Sequence, residues 1–359
     1  MRPSRRGPMR PSPRRASLTL PLGVLLAVLA CVPAARAAEN PVVTVERLSD
    51  RVLVANTPII GRANVTAIAT RKGLVLVDAA ASPYLAGQLK QALEKQLGRT
   101  DWVCVINTHV HDHTGGNGLF KNLPIIGHEN AVEDSKAVAE VLASEEKKAT
   151  AVRGVRTQVQ EVQKKLDGGA ADADALRAQI GFWQALERDL VQGFEVVVPN
   201  VRFTDELTLD MGDLTIHALY LGQGHSAADV LVHVSEEKLV VAGSACGPMF
   251  PRVGDKIALA DLQRSVAVLD KVLKAGIERV VPSHAEPGGR EIAERRRDYY
   301  RDLLAGVTAA RGQGLTLEKA QAELGLEQRF PYMRGTRVFQ GTPEQAHAAN
   351  VAAVWKLVQ

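Results

Sequence analysis

Short β-branched runs and amphipathic helical stretches alternate in both halves of this chain, and that alternation constrains its fold more than any other feature. Residues 42–45, 52–56, 65–70 and 74–78 are apolar runs separated by Pro, Gly or polar residues, the pattern of strands. Residues 83–97 are amphipathic and end at Gly98, which predicts a helix with its stop signal. Further strands are expected over 101–107 and 124–127, in four runs between 196 and 243 with Gly212 at a hairpin position, and over 279–282. Helices are expected over 259–273, ending near Gly276, and over 291–304, 317–324 and 343–358. Strands and helices in both halves favour a layered α/β architecture over a bundle or a pure sandwich.

One stretch departs from this rhythm. Val152, Val155, Val159, Val162 and Leu166 recur at steps of three and four, Gly168 and Gly169 break the pattern, and Leu176, Ile180, Trp183 and Leu190 resume it. This predicts an amphipathic helical hairpin inserted over about 131–192. It could pack on the core, cover the site as a lid, or serve as a dimer arm.

The formal net charge of +4 suggests nucleic acid or an anionic membrane as a partner until the charges are located. Residues 1–37 hold seven arginines and no Asp, Glu or Lys, so the remainder carries −3. Arginines, then an apolar run over 18–33, then Ala35-Arg36-Ala37, form the pattern of a secretory signal peptide cleaved after Ala37. The run is shorter than the roughly 20 residues a spanning helix needs. Arg14-Arg15 hints at twin-arginine export, and Met9-Arg10-Pro11-Ser12 repeats the opening tetrapeptide and offers a second start. Val28-Leu29-Ala30-Cys31 partly resembles a lipoprotein site, the lesser alternative. The expectation is a periplasmic or secreted protein with a small-molecule substrate, no nucleic-acid partner and no stable membrane span. Of the two cysteines that remain after cleavage, Cys104 lies in an apolar run and is expected to be a small buried hydrophobe; a disulfide with Cys246 is the alternative.

The chemistry is concentrated in Asn107-Thr108-His109-Val110-His111-Asp112-His113-Thr114-Gly115-Gly116-Asn117. Three imidazoles and a carboxylate within five residues, directly after an apolar strand, suit a Zn²⁺ site. His225, in Gly224-His225-Ser226, and His284, in Pro282-Ser283-His284, also sit where a strand meets a loop. His128 ends a strand, with a structural role favoured over one at the site rim. His217 and His233 lie within strand alternations, and His347 is expected on the surface of the last helix, as are Tyr299, Tyr300 and Arg295 to Arg297 on theirs.

The order Asp78, His-Asp cluster, Gly-His, Gly243-Ser244 and Pro-Ser-His resembles the metallo-β-lactamase superfamily over residues 42–303, outside the helical insertion. The Asn-Thr-His opening, the Pro-Ser-His segment and Ala346-His347-Ala348-Ala349-Asn350-Val351 look most like exported zinc hydrolases associated with quinoprotein and sulfur-oxidation systems. The resemblance implies an αβ/βα four-layer sandwich over 38–359, with a helical C-terminal segment over about 305–359, and one or two zinc ions at an edge between two sheets. By the same resemblance His109, His111 and His225 match the ligands of a first zinc, Asp112, His113 and His284 those of a second, and Asp78 a buried acid that supports the ligand loop. The chain departs from the family twice. Its His-x-His-Asp-His is one residue shorter than the family's His-x-His-x-Asp-His, and this deletion between His111 and Asp112 re-aims the side chains after it. Ser244 stands where many relatives have a bridging Asp, as it does in one class of true metallo-β-lactamases; Cys246, two residues on, is an alternative soft ligand but more simply a small buried residue.

These residues imply an exported hydrolase in which bound zinc lowers the pKa of water from about 15.7 to about 7, and the resulting hydroxide attacks a β-lactam, ester, lactone or thioester carbonyl. Asp112 would orient the attacking group or take its proton. The alternative is a metal-binding but inactive member acting as a scaffold. A di-iron centre is a third reading, disfavoured by Ser244 in place of a carboxylate.

Overall fold

The computed structural model describes residues 43–57, 63–247, 249–338 and 341–358. The expected leader, its arginines and Cys31 lie outside the described residues. Among the described residues no helix is long and apolar enough to cross a membrane.

Two sheets form the middle of the molecule. The first contains β1 (Thr44–Arg47), β2 (Val52–Asn56), β3 (Val65–Thr70), β4 (Gly73–Val77), β5 (Trp102–Ile106), β6 (Ile125–His128) and β7 (Val201–Phe203), in sequence order across the sheet. The second contains β8 (Glu206–Asp210), β9 (Thr215–Tyr220), β10 (Val230–Val234), β11 (Leu239–Gly243), β12 (Arg279–Pro282) and β13 (Gly288–Gly289). Antiparallel hairpins start each sheet, and parallel pairing begins at β4–β5 in the first and occurs at β11–β12 in the second.

The central strands, such as β2, β4, β10 and β11, read as apolar runs because both of their faces are covered. Val52, Val54, Val75 and Val77 point between the sheets and meet Val230, Val232, Val234 and Val241. Their neighbours Leu53, Ala55, Leu74 and Leu76 point outward onto α1 (Pro83–Leu97), through Leu85, Ala86, Leu89 and Leu93. On the other side Leu231, Val240 and Ala242 meet Leu269, Val272 and Leu273 of α5 (Leu259–Lys274) and Ala293 of α6 (Glu291–Gly312). Period-two alternation thus separates an inter-sheet core from two helix-facing layers, giving the expected αβ/βα sandwich.

Three details differ from the sequence expectation. Five strands, not four, lie between 196 and 243, because the short edge strand β7 pairs with β6. The insertion contains three helices: α2 (Ala131–Ala143), α3 (Glu145–Asp167) and α4 (Ala173–Gln192). Ser144, extended and accepting from the Lys147 N–H, ends α2 and caps α3, a break the apolar spacing does not announce. The α3–α4 hairpin itself closes on Val162, Leu176 and Ile180, while Phe182 and Ala185 of α4 join the layer on α1. Both cysteines are free and buried.

The third difference is at the C-terminus, where α7 (Leu317–Glu323), α8 (Leu326–Arg329) and α9 (Pro343–Leu357) cover α6. Tyr299, Tyr300 and His347 are therefore buried rather than exposed. His347 Nδ1 lies 3.0 Å from Tyr299 Oη, and its Nε2 lies 2.7 Å from the Leu324 carbonyl. Asn350 donates to Tyr299 Oη at 2.9 Å and to the Pro251 carbonyl at 2.7 Å, and accepts from the Val253 N–H at 2.8 Å. One amide thus pins the loop after β11 to the last helix. Asn350→Ala strands three buried partners and should lower unfolding free energy by about 2 kcal/mol or more in urea titration.

Candidate metal centre

The expected site residues gather at one edge of the two sheets because their strands end there. Asp78 follows β4 and Thr108 to His113 follow β5, its parallel neighbour. Gly243-Ser244 ends β11, and Ser283-His284 follows β12, again parallel neighbours. His225 lies in the loop after β9, which runs with β11 across the intervening antiparallel β10. Loops at the carboxyl ends of parallel strands converge, and here both sheets contribute.

A buried carboxylate organises the cluster. Asp78, 1 % exposed, accepts from the Thr108 N–H and from Thr108 Oγ1, both at 2.8 Å. The hydroxyl proton of Thr108 is spent on Asp78, so toward His109 Nδ1, 2.9 Å away, Thr108 accepts. His109 is therefore the Nδ1–H tautomer by inference from its partners. That leaves its Nε2 lone pair facing the cleft, 3.1 Å from Ser244 Oγ. Ser244 in turn meets Ser283 Oγ at 2.7 Å. The Thr108 relay was missed in sequence reasoning; a Thr directly before the first His is its only sequence trace.

Backbone geometry compensates for the shortened motif. His111 has φ 60°, and His111–His113 forms a single 3₁₀ turn. The left-handed residue swings the chain back, so the deletion does not carry Asp112 and His113 away from the site. Asp78, Ala80 and Ala285 also have positive φ; of the five such non-glycine residues described, only Lys238 lies away from this edge. Each costs on the order of 1 kcal/mol or more and persists only where surrounding contacts impose it. Gly243 (φ 53°) lets the second sheet lie directly against the first: a Cβ there would meet Thr108 Oγ1 at 2.6 Å.

Two groups of candidate ligand atoms lie within 4.8 Å of one another among the described residues: Asp78, His109 and His113, and Asp112, His113 and His284. The second group is the tighter match to the expectation. His113 Nε2 lies 3.3 Å from His284 Nε2 and 3.5 Å from Asp112 Oδ1, and His284 Nε2 lies 3.3 Å from Asp112 Oδ2. The other expected trio is not among these groups; its ring centroids lie 5.1 Å apart for His109–His225, 5.6 Å for His111–His225 and 6.2 Å for His109–His111.

The electrostatics favour neutral donors at His109 and His225. Burial and four neighbouring imidazoles hold His109 well below its ordinary pKa. Desolvation and the His111 ring push His225 down to about 4. For His113, burial lowers the pKa but Asp78 and Asp112 outweigh it, so the net shift is upward. Its Nδ1 is buried without a hydrogen bond, 3.3 Å from Asp78 Oδ2. Imidazoles crowded against two carboxylates are a donor set that fits Zn²⁺.

Two other candidates fall outside the cluster. Cys246 is fully buried among Leu219, Val240 and Val280, and burial raises its thiol to about 11, so it is an apolar core residue and lies away from the rim. His128 uses both ring nitrogens, Nε2 at 2.8 Å from the Thr204 carbonyl and Nδ1 accepting from the Asn130 N–H, and stacks on Tyr220. Both ring nitrogens are thus engaged by backbone groups.

Further supports were not foreseen. Asp229, buried and pushed up to about 6 chiefly by desolvation, accepts from the His225 N–H at 2.7 Å and from the Ser226 N–H and Oγ, fixing the His225 loop. Asn64 donates to the carbonyls of Pro282 and Ala285 and holds the His284 loop. Asn107 and Asn117 exchange amide hydrogen bonds across the His turn. From the insertion, Ala131 packs with Val110 and Ala228, and Asp134 accepts from the Ala227 N–H at 3.3 Å. The base of the insertion thus braces two ligand-bearing loops.

Residues 59–284 match the family model of the metallo-beta-lactamase superfamily. The chain belongs to the metallo-beta-lactamase superfamily. Over 108 residues it is 30% identical to a metallo-beta-lactamase type 2 of Bacteroides fragilis, a stretch covering 30% of this chain and 43% of that relative. The chain therefore matches less than half of that curated relative's length. Among solved structures it is similar to a stereoselective inverting sec-alkylsulfatase from Pseudomonas sp. (TM-score 0.58, 17% identity, 88% of this chain and 50% of that one). It is also similar to a metallo-beta-lactamase from Pontibacter korlensis (TM-score 0.47, 15% identity, 73% and 100%). At 17% identity the sulfatase attests a shared fold, and the superfamily match covers the residues of the candidate metal centre.

Two substitutions test the supports. Thr108→Val keeps the volume but removes the relay; zinc affinity should fall about 10- to 100-fold in competition with a chromogenic chelator. Asp229→Asn should weaken zinc to a similar degree, with unchanged far-ultraviolet circular dichroism.

Proposed function

We propose that this member of the superfamily is an exported zinc hydrolase acting on a carbonyl-type bond of a small molecule: a β-lactam, ester, lactone or thioester. One observation carries the reading: Asp112, His113 and His284 present ligand atoms 3.3–3.5 Å apart at a strand-end cleft. In this reading those three residues hold one ion, and His109, His111 and His225 hold another. Zinc, when bound, supplies Lewis acidity and an acidified water at neutral pH.

The remaining chemistry belongs to the chain. Asp112 is the carboxylate of the cluster with solvent access, its side chain 42% exposed against 2% for Asp78. An Asp112 oxygen turned to the cleft orients the attacking water and accepts its proton, then returns it to the leaving group. The Nδ1–H tautomer of His109, imposed by Thr108, keeps Nε2 aimed at the site. Ser244 Oγ, between His109 and Ser283, is a hydrogen-bond donor within the cleft and not a replacement for a carboxylate. The leader over 1–37 would carry the protein to the periplasm or beyond, where β-lactams and small thioesters are both accessible.

Elemental analysis of the mature protein, with a panel of a chromogenic cephalosporin, an ester, a lactone and a thioester, tests this. The expected result is about one to two zinc ions per chain and hydrolysis of at least one substrate, abolished by chelator and restored by zinc. Metal-free protein inert on every substrate, even after zinc is added, would refute it. One glycine inserted between His111 and Asp112 should lower that activity at least about tenfold, because the left-handed turn at His111 is native geometry; a rise would mark the short motif as damage.

A further inference from the structure

The second sheet carries two histidines that the cleft does not use. His217 of β9 and His233 of β10 are register partners across the antiparallel pair. By strand alternation they share the outer face with Leu219 and Leu231, which pack toward α5. Their rings lie nearly parallel, 23° apart, with centroids separated by 5.7 Å. Both residues sit in the interior of their strands, whereas the cleft gathers where strands end.

His217 is oriented as a nitrogen donor. Its Nδ1 lies 3.2 Å from Glu206 Oε1 and 3.0 Å from Thr208 Oγ1. The hydrogen bond from Lys271 holds Glu206 below the ordinary carboxylate range, so Glu206 is ionised and only accepts. Nδ1 of His217 therefore carries the proton, and Nε2 keeps its lone pair. A carboxylate behind an imidazole is the arrangement that orients metal-bound histidines. Among the described residues, neither His217 Nε2 nor either ring nitrogen of His233 has a hydrogen bond, although His233 is only 7% exposed. A buried polar group without a partner costs free energy unless a ligand supplies one.

The charges favour a cation. Glu206, Glu236 and Lys271 act on the His233 ring, two carboxylates against one ammonium. Burial, with the His217 ring adding to it, lowers the His233 pKa, which leaves a neutral donor at neutral pH. Cross-strand partners have Cβ atoms about 4.5–5.5 Å apart, within the span of two imidazoles on one ion. Nitrogen donors without thiolate suit Cu²⁺ and Ni²⁺, which stand high in the divalent affinity order.

We propose that His217 and His233 form a further metal site on the outer face of the second sheet, for a divalent ion of the Cu²⁺ and Ni²⁺ class, with Glu206 orienting His217 and water completing the coordination. Residues 221–229 join these two strands and carry His225 and Asp229, so the ion bridges the base of the hairpin that presents a cleft histidine. The inference does not depend on what the cleft hydrolyses.

Dialysis of zinc-loaded full-length protein against dilute Cu²⁺ or Ni²⁺ tests it, with total metal counted by elemental analysis so that displacement of zinc leaves the count unchanged. The expected result is about one fewer ion per chain in His217→Ala and in His233→Ala than in the unaltered protein, and about tenfold weaker retention of that ion in Glu206→Gln. Far-ultraviolet circular dichroism identifies the variants that fold; if His233→Ala does not, His217→Ala, at a partly exposed position, decides alone. Retention of either ion in this histidine-dependent way upholds the site. A count that is the same in the unaltered protein and in a folded histidine variant would overturn it.

Discussion

The candidate metal centre depends on one buried carboxylate. Asp78 sits in left-handed backbone at the end of β4 and binds the first residue of the His loop through both its N–H and its hydroxyl. Charge-assisted bonds of this kind are worth roughly twice a neutral pair. They fix Thr108, which fixes the His109 tautomer, and the same carboxylate lies beside His113. From the opposite sheet Gly243 closes onto Thr108, so the two sheets are locked where the chemistry gathers. Without Asp78 the Thr108–His109 relay would lose its anchor and His113 one of its two carboxylates.

The layered body was legible in the sequence because its central strands bury both faces and so read as continuous apolar runs. The His-Asp cluster was legible because its donor types are dense and come directly after a strand. The supports were not. Asp229 and Asn64 are single polar residues whose partners are mostly backbone groups, and a backbone partner leaves no trace in residue type. The surface placement of His347 and Tyr299 failed because the covering helix α9 is distant in sequence from α6.

The insertion also changes meaning. Its apolar spacing announces a hairpin, yet the part that matters to the site is the short preceding helix α2, which contacts Val110 and the His225 loop. The shortened His motif is absorbed next to that contact, by the left-handed turn at His111. Bracing from α2 and a deletion-tolerant turn occupy the same few residues. The insertion is thus built into the ligand loops at its base, and its α4 helix packs on the α1 layer.

The central claim is that any bound zinc is held by imidazoles and a carboxylate at the edge between the sheets, with Cys246 in the core. X-ray absorption at the zinc edge of the purified protein tests this most directly. The account expects a first shell of nitrogen and oxygen at about 2.0–2.2 Å with outer-shell imidazole scattering. A sulfur shell at about 2.3 Å, or a nitrogen and oxygen shell without imidazole scattering, would contradict it.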